Sequence, residues 1–420
     1  MRIGIDFRAM QMGHQFRGIG EVVRQSCRQL DQRSPASDAF VAFVDQGGPT
    51  VQPILDEVFG PDRSVRTVEL PAPANPRVAK LAGALSPERS AIIGAEADVL
   101  VQFDFSLGVP EGLPSVVVVY DQVPLLLGDR YPRNYRPTYA GARRAGLGRR
   151  EAFYKAGTRR VYEKHLVSAL ERASRVIAIS EHTKATTEAF AAEHGVGSVT
   201  TKISVARLGH TPPADEHPSL NAMEQARVEA LALHEHPFVV FMGGSDERRR
   251  VDLLVSAFNA VRAAGLDLKL VLAGYDFNTM DAVLSETARA ALLSSSYKHD
   301  IHLLGFVSDA ERTWLYDRAE AFVFPSEHEG FGLPVIESLA AGCPVVAFAN
   351  TSIYEVSGPN CLLVDGTWED LARGITEMVQ RPDDEKLQAV EDGRRWAATF
   401  TWDTIGDVLR SNLEEIATKR

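Results

Sequence analysis

Short runs of β-branched and aromatic residues recur along the chain, with longer amphipathic stretches between them. In the first half these are Ile3-Gly4-Ile5, Phe40-Val41-Ala42-Phe43-Val44, Val65-Arg66-Thr67-Val68, Val99-Leu100-Val101, Val116-Val117-Val118-Val119 and Val176-Ile177-Ala178-Ile179. Runs that are apolar throughout suit strands covered on both faces, and helical stretches between them predict parallel sheets. A polar, proline-rich connection, Gly209-His210-Thr211-Pro212-Pro213, interrupts the pattern. A second alternation follows with Phe238-Val239-Val240-Phe241, Leu268 to Leu272, Ile301-His302-Leu303, Ala321-Phe322-Val323-Phe324, Val345 to Phe348 and Leu362-Leu363-Val364. The pattern predicts an α/β chain of two doubly wound, Rossmann-like domains, residues 1–212 and 213–401. Such sheets bind ligands outside the carboxyl ends of their strands, so the cleft between the two domains is the expected active site.

The most informative stretch is Glu329-Gly330-Phe331-Gly332-Leu333-Pro334-Val335-Ile336-Glu337, between the strand ending at Phe324 and the small, helix-prone run Ser338 to Gly342. Gly330 and Gly332 allow close backbone approach or positive φ, and Pro334 suits the first helical turn. A helix start offers unpaired N–H groups to a phosphate or a hydroxyl cluster. Glu337 lies one turn in, and helical side chains lean toward the N-terminus, so both acids are expected to face one crevice. The plainer reading makes Glu329 a solvated loop acid and Glu337 a complement to the helix dipole. Against it stands the apolar company of Glu337, since an acid placed among buried residues needs a partner.

Three further segments carry candidate chemistry. Gly243-Gly244-Ser245-Asp246-Glu247-Arg248-Arg249-Arg250 leads into the helical pattern Val251, Leu254, Val255, Phe258. Arginines at a helix start oppose its dipole, which points either to anion binding or to solvated charge offset by Asp246 and Glu247. Near the N-terminus, Arg17-Gly18-Ile19-Gly20 opens a helix, and Gly18 and Gly20 serve either a plain turn or backbone approach to a phosphate or acceptor. Val23 stands where a dinucleotide fingerprint has its third glycine, so that motif is incomplete. The strand Val116 to Val119 delivers Tyr120 and Asp121 to the cleft edge, where Asp121 either orients or deprotonates an acceptor hydroxyl or simply caps a turn.

Composition narrows the function classes. The 420 residues exceed what one core usually supports, and the formal net charge of −11 argues against a general nucleic-acid binder. Against that background residues 130–165 carry eleven Lys or Arg and only Glu151 and Glu163, a local net of +9 with six aromatic residues interleaved. Such a stretch is either a solvated helical face or a contact with an anionic membrane surface. Cys27, Cys343 and Cys361 lack metal-ligand spacing and read as reduced thiols. No signal-peptide core or membrane-spanning run is evident, so the expected location is cytoplasmic, with peripheral attachment to the inner face of the membrane as the further expectation.

The stretch from Gly305-Phe306-Val307 through Pro325-Ser326 and the Glu329/Glu337 bracket to Gly342-Cys343-Pro344 resembles the signature of retaining glycosyltransferases of family four, which have the GT-B fold. The resemblance implies that a last helix, about 402–420, returns to complete the first domain. It implies a donor, GDP- or UDP-linked, held by the second domain. Glu337 would bind the ribose, Glu329 and the Gly330-Phe331-Gly332-Leu333 turn the sugar, and Gly305, Phe306 and Val307 would lie near the base. Arg248 and Arg249, reached from Gly243 and Gly244, match the basic pair on the diphosphate, whereas Arg250 falls where many relatives have a neutral residue. The acceptor, a glycan or a lipid-linked saccharide, would lie near Gly18, Gly20, Tyr120 and Asp121. Relatives commonly have His-Asp where this chain has Tyr120-Asp121, and a neutral tyrosine is a poor base at neutral pH. No cofactor and no metal are expected, because the chain has no Asp-x-Asp pair and arginines offset the diphosphate charge. The expected activity is transfer of a hexose, mannosyl-type first, with retention. The alternatives are an epimerase or phosphorylase of the same architecture, or a non-catalytic subunit that binds sugar nucleotides.

Overall fold

The computed structural model describes residues 1–420 apart from 13–17, 61, 73–84, 127–148, 198, 213–218, 359–360 and 419–420, and describes only the backbone of 149–158. The chain packs as two units, Met1–Gly209 with Trp402–Arg420, and His210–Thr401. Each is a parallel α/β sheet, and the doubly wound architecture expected from the apolar runs is present in both.

In the first unit the strands are β1 (Arg2–Asp6), β2 (Ala39–Asp45), β3 (Val65–Leu70), β4 (Val99–Gln102), β5 (Ser115–Val119), β6 (Arg175–Ala178) and β7 (Ile203–Val205). They lie in the order β3-β2-β1-β4-β5-β6-β7, every pairing parallel. β5 is buried along its length because Val117 and Val119 meet Leu166 and Leu170 of the helix Arg149–Arg172, while the helix Asp403–Ala417 packs on β4, β5 and β6. That last helix buries Ile405, Leu409 and Leu413 and is pinned by charge at several points. Arg33 reaches Asp403 at 2.7 Å and Asp407 at 2.5 Å, and Arg410 reaches Asp38 at 2.5 Å, which also takes the Met1 ammonium at 3.0 Å.

In the second unit β8 (Phe238–Met242), β9 (Lys269–Ala273), β10 (Ile301–Gly305), β11 (Ala321–Phe324), β12 (Val345–Phe348) and β13 (Leu362–Val364) lie in the order β10-β9-β8-β11-β12-β13, all parallel. Strand order reverses between β8 and β11, which are direct neighbours through Phe322 and Val240. Their carboxyl ends, Met242 and Phe324, therefore open the crevice in which such a sheet binds its ligand. The two loops that leave this point carry the glycine–arginine segment and the glutamate-bracketed turn. No helix among the described residues is long and apolar enough to cross a membrane.

Leu409 is fully buried on the helix that closes the first unit. Leu409→Ala is expected to lower the unfolding free energy by about 2–5 kcal/mol through lost transfer energy and a residual cavity. Urea titration followed by circular dichroism checks this, and an unchanged midpoint would mean that the helix contributes no stability to the first unit.

Candidate functional site

The site in the second unit begins with a geometric accident of the glycine–arginine segment. Residues Glu247–Arg249 form a single 3-10 turn, and Arg250 then takes a left-handed conformation at φ 47° before the helix Val251–Ala263 starts. The arginines thus precede the helix instead of occupying its first turn, so the opposition to the dipole expected from sequence does not arise in that form. Left-handed backbone is unfavourable for an L-residue that carries a Cβ and costs about 1–3 kcal/mol. Arg250 is held there by Asp252, at 3.1 Å from both Nε and Nη2, and by Glu327 at 2.6 Å from Nη1. The reversal turns Arg248 and Arg249 back toward the end of β11.

There they meet one carboxylate. Arg248 Nη1 lies 2.8 Å from Glu329 Oε2, and Arg249 pairs with Oε1. Ser326 Oγ donates to Oε1 at 2.7 Å. Asp246 supplies a second acid at 3.0 Å from Arg248 Nε, and the Arg249 guanidinium sits over the Phe324 ring at 5.0 Å. Glu329 is only 6 % exposed. Burial by itself would raise its carboxyl pKa, but the Arg248 and Arg249 charges and the Ser326 hydroxyl outweigh burial and hold it below the ordinary carboxylate range. The acid is therefore a buried anion and not the solvated loop residue of the plainer reading.

Backbone bonds fix the two loops to each other and to a third. Glu327 N–H donates to the Arg248 carbonyl at 2.8 Å, and Arg248 Nη1 donates to the His328 carbonyl at 2.8 Å. From the loop after β12, Asn350 Nδ2 donates to the Ser326 carbonyl at 2.7 Å, and Ser352 Oγ donates to the Glu329 carbonyl at 2.9 Å. Thr351 Oγ1 accepts the Glu329 N–H at 3.2 Å. Thr351 is itself left-handed, at φ 41°, an outlier for a β-branched residue. Three non-glycine residues among those described have positive φ, and two of them, Arg250 and Thr351, belong to loops bonded to 326–329. Sequence reasoning missed Asn350, Thr351 and Ser352. Three polar residues directly after an apolar strand were the available signal, since strand ends of this kind face the ligand crevice.

The other expected positions fall as follows. Gly332 has φ 107° and caps the helix Leu333–Ala340, with Pro334 in its first turn; a Cβ there would stand 3.0 Å from Ile353. Gly330 is buried, and Phe331 is buried edge-on to Phe400, which leaves only its backbone to face a ligand. Glu337 is half-buried on that helix, near enough to the sequestered Tyr316 phenol to add to the rise that burial imposes on it. Gly243 has φ 149° and lies beside the Arg249 guanidinium, while Gly244 abuts Asp276, which accepts from the Ser245 N–H at 2.9 Å. Gly305 has φ 65°, Phe306 is 67 % exposed and Val307 is half-buried.

In the first unit, Gly18 and Gly20 open the helix Gly18–Arg33, the first exposed and the second buried, and Arg17 lies outside the described residues. Tyr120 Oη is buried without a hydrogen-bond partner, and burial, then the nearby Asp104, push its pKa well above the ordinary tyrosine value. It stays a neutral phenol. Asp121 Oδ1 accepts the Val123 N–H at 3.1 Å, a turn-capping bond at the head of the helix Val123–Leu126. Of the basic stretch 130–165, residues 130–148 and the side chains of 149–158 lie outside the described residues.

Residues 223–396, nearly the whole second unit, match the family described as Glycosyl transferases group 1. The chain carries a group 1 glycosyl transferase domain on a GT-B fold. Within curated proteins it is 30 % identical over 179 residues to a phosphatidyl-myo-inositol mannosyltransferase of Propionibacterium freudenreichii, covering 41 % of this chain and 42 % of that one. It is 28 % identical over 181 residues to the GDP-mannose-dependent alpha-(1-6)-phosphatidylinositol dimannoside mannosyltransferase of Mycobacterium tuberculosis, covering 43 % and 44 %. The matched segment thus spans less than half the length of these relatives. Among solved structures, Anabaena HepE in complex with UDP-glucose superposes with a TM-score of 0.66 at 14 % identity over 99 % of this chain and 100 % of that one. Sucrose-phosphate synthase of Thermosynechococcus elongatus does so with a TM-score of 0.66 at 19 % identity over 100 % of both chains. These likenesses show the fold alone.

Removing Glu329's charge deprives two half-buried guanidiniums of the group 1 domain of their shared counter-ion. Glu329→Gln is expected to lower the unfolding free energy by about 3–5 kcal/mol at neutral pH. Because the folded pKa is depressed, the stability that ionised Glu329 contributes is present above its unfolded value. It is lost as pH falls through the lower folded value, so the gap between wild type and variant closes on acidification. Urea unfolding across a pH series measures the gap, and a gap constant through that range would contradict the ion-pair account.

Proposed function

We propose that the protein is a retaining glycosyltransferase that moves a hexose, mannosyl-type first, from a nucleotide-sugar donor to a glycan or lipid-linked acceptor. The observation that carries the reading is one buried carboxylate, Glu329, bound to both Arg248 and Arg249 beside the point where strand order reverses. Two always-charged guanidiniums at a helix-start turn fit a diphosphate, and an acid between them fits the hydroxyls of the sugar attached to it. The mannosyl relatives favour a mannose donor over other hexoses.

In this reading the donor diphosphate takes up Nη donors of Arg248 and Arg249, and the charge that grows on the leaving phosphate is met by donors already in place. Glu329 and the backbone of Gly330 to Leu333 hold the sugar. Glu337 binds the ribose, with Gly305, Phe306 and Val307 at the base. Gly18 and Gly20 lie on the acceptor side, where Asp121 orients and deprotonates the acceptor hydroxyl, while Tyr120, its own hydroxyl buried, stays neutral and takes no proton. The attacking acceptor oxygen and the departing diphosphate lie on the same face of the sugar, so the anomeric configuration is kept. Arginine charge replaces a divalent metal in this scheme. Residues 130–165 provide the contact with an anionic membrane that presents a lipid-linked acceptor.

Turnover of GDP-mannose and UDP-glucose, followed by release of nucleoside diphosphate and by NMR of the product anomer, tests the reading. Activity is expected to survive chelation by EDTA. Arg248→Ala and Arg249→Ala are expected to act mainly on kcat, because leaving-group charge is greatest in the transition state. Glu337→Ala is expected to weaken donor binding by roughly ten- to 150-fold, the loss of a charge-assisted bond. Activity abolished by EDTA and restored by magnesium would refute the metal-free scheme, and an inverted product anomer would refute retention. Donor binding with no product from any acceptor mixture would favour the non-catalytic subunit.

A further inference from the structure

The first sheet reverses strand order between β1 and β4, which are direct neighbours through Ile5 and Val101. A doubly wound sheet opens its ligand crevice at such a point, outside the carboxyl ends of the strands. An ion pair stands there. Asp6 is the last residue of β1, and Arg8 follows it in the 3-10 helix Phe7–Gln11. Arg8 Nε lies 2.8 Å from Asp6 Oδ1 and Nη2 lies 2.6 Å from Oδ2, the two-pronged contact of a guanidinium with a carboxylate. Gln102, the last residue of β4, donates from Nε2 to Asp6 Oδ2 at 3.1 Å and to the Gly108 carbonyl at 2.6 Å, which ties the two strand ends together. Both charged side chains are only 3 % exposed.

The pair is rigidly held, and stability does not explain it. Phe7, Ala9 and Met10 are buried around it, and Gln11 clamps the Asp45 backbone, accepting its N–H at 2.6 Å and donating to its carbonyl at 3.1 Å. A buried ion pair gains little over apolar side chains of the same volume, because two charges must first leave water. With Nε and Nη2 spent on Asp6, Arg8 Nη1 has no hydrogen-bond partner among the described residues. Its N–H groups are the donors left over at the strand ends, fixed in direction by the plane of the bound guanidinium. A charged donor left unmet in a buried place is costly, and a ligand oxygen would meet it. Charge decides which oxygen. Asp6 already cancels Arg8, and the further acids within electrostatic reach of Arg8 are Asp45 and Asp104. Among the described residues no positive charge is left over to draw a phosphate or carboxylate, so the oxygen that fits is that of a neutral hydroxyl. Arg8 belongs to no motif read from the sequence.

We propose that Arg8 is an acceptor-binding residue whose Nη1 donates to a hydroxyl of a neutral sugar in the acceptor, an inference that rests on the nucleotide-sugar reading above. The donor-binding groups of that reading lie on the second unit, so Arg8 selects what receives the hexose and not what supplies it. β5, which ends just before Tyr120 and Asp121, lies two strand spacings from β1, roughly 10 Å. Arg8 therefore holds the acceptor at a distance from the oxygen on which Asp121 acts. A lipid phosphate, where the acceptor has one, is bound elsewhere.

Ligand-detected NMR titration of the full chain, with GDP or UDP present, tests this with methyl α-mannopyranoside, methyl α-glucopyranoside and the 6-phosphates of mannose and glucose as probes. Wild type is compared with Arg8→Lys, which keeps a charge beside Asp6 and removes Nη1, and with Asp6→Asn/Arg8→Met, which removes both buried charges together. At least one neutral glycoside is expected to bind wild type more tightly than the phosphate of the same sugar. Both variants are expected to weaken that glycoside by roughly ten- to 150-fold, the range for a hydrogen bond from a charged donor, while calorimetric GDP affinity stays within about twofold of wild type. Neutral glycosides that bind Arg8→Lys as they bind wild type would overturn the assignment and leave the nucleotide-sugar reading standing. So would a wild type that prefers the phosphates, or one that binds no neutral glycoside. A wild type that binds neither GDP nor UDP would remove the nucleotide-sugar reading and the assignment with it.

Discussion

Everything at the crevice of the second unit depends on sharing one buried negative charge between two positive ones. A lone guanidinium or carboxylate taken out of water loses several kcal/mol of solvation, and a pair recovers this only when geometry and additional hydrogen bonds are both good. Glu329 meets that demand with both oxygens engaged by arginine, a third bond from Ser326, and backbone contacts at its own N–H and carbonyl. The arrangement balances charge without a ligand while keeping cationic donors in place for one.

That balance is maintained by strained backbone nearby. Arg250 and Thr351 occupy conformations that glycine would accept at lower cost, and each is held by polar bonds that also fasten the loop 326–329. Strain of this sort persists only where the surroundings over-determine it, and it clusters where a site is kept rigid before its ligand arrives. Gly274, at φ 153° directly after β9, meets the complementary problem. Where Arg250 and Thr351 accept positive φ in order to place side chains, Gly274 accepts it because no side chain fits.

The architecture was legible because strands buried on both faces must be apolar throughout, and runs such as Val116 to Val119 can be little else. The glycines of the turn before Leu333 were legible for the same local reason. Long-range pairing was not. The Glu329 ion pair joins residues about eighty positions apart, and nothing local in Arg248-Arg249-Arg250 says that the chain reverses at Arg250, because the apolar period of the following helix runs up to Val251. Asn350 to Ser352 read as an ordinary loop until their bonds to Ser326 and Glu329 are seen. Tyr120 was expected on the acceptor side but its hydroxyl is sequestered, and Phe331 looked like a ligand contact although its ring packs on Phe400. Each of these depends on a partner that sequence proximity does not supply.

If Glu329 balances the arginines until a diphosphate takes over that task, neutralising it makes the arginines more available to the ligand while spoiling their placement of a sugar. GDP affinity of Glu329→Gln, measured by calorimetry beside its turnover of GDP-mannose, separates these effects. The account predicts GDP binding at least as tight as wild type together with a turnover reduced by roughly tenfold or more, the size of one charge-assisted bond lost in the transition state. GDP binding clearly weaker than in wild type, or full turnover in Glu329→Gln, would contradict it.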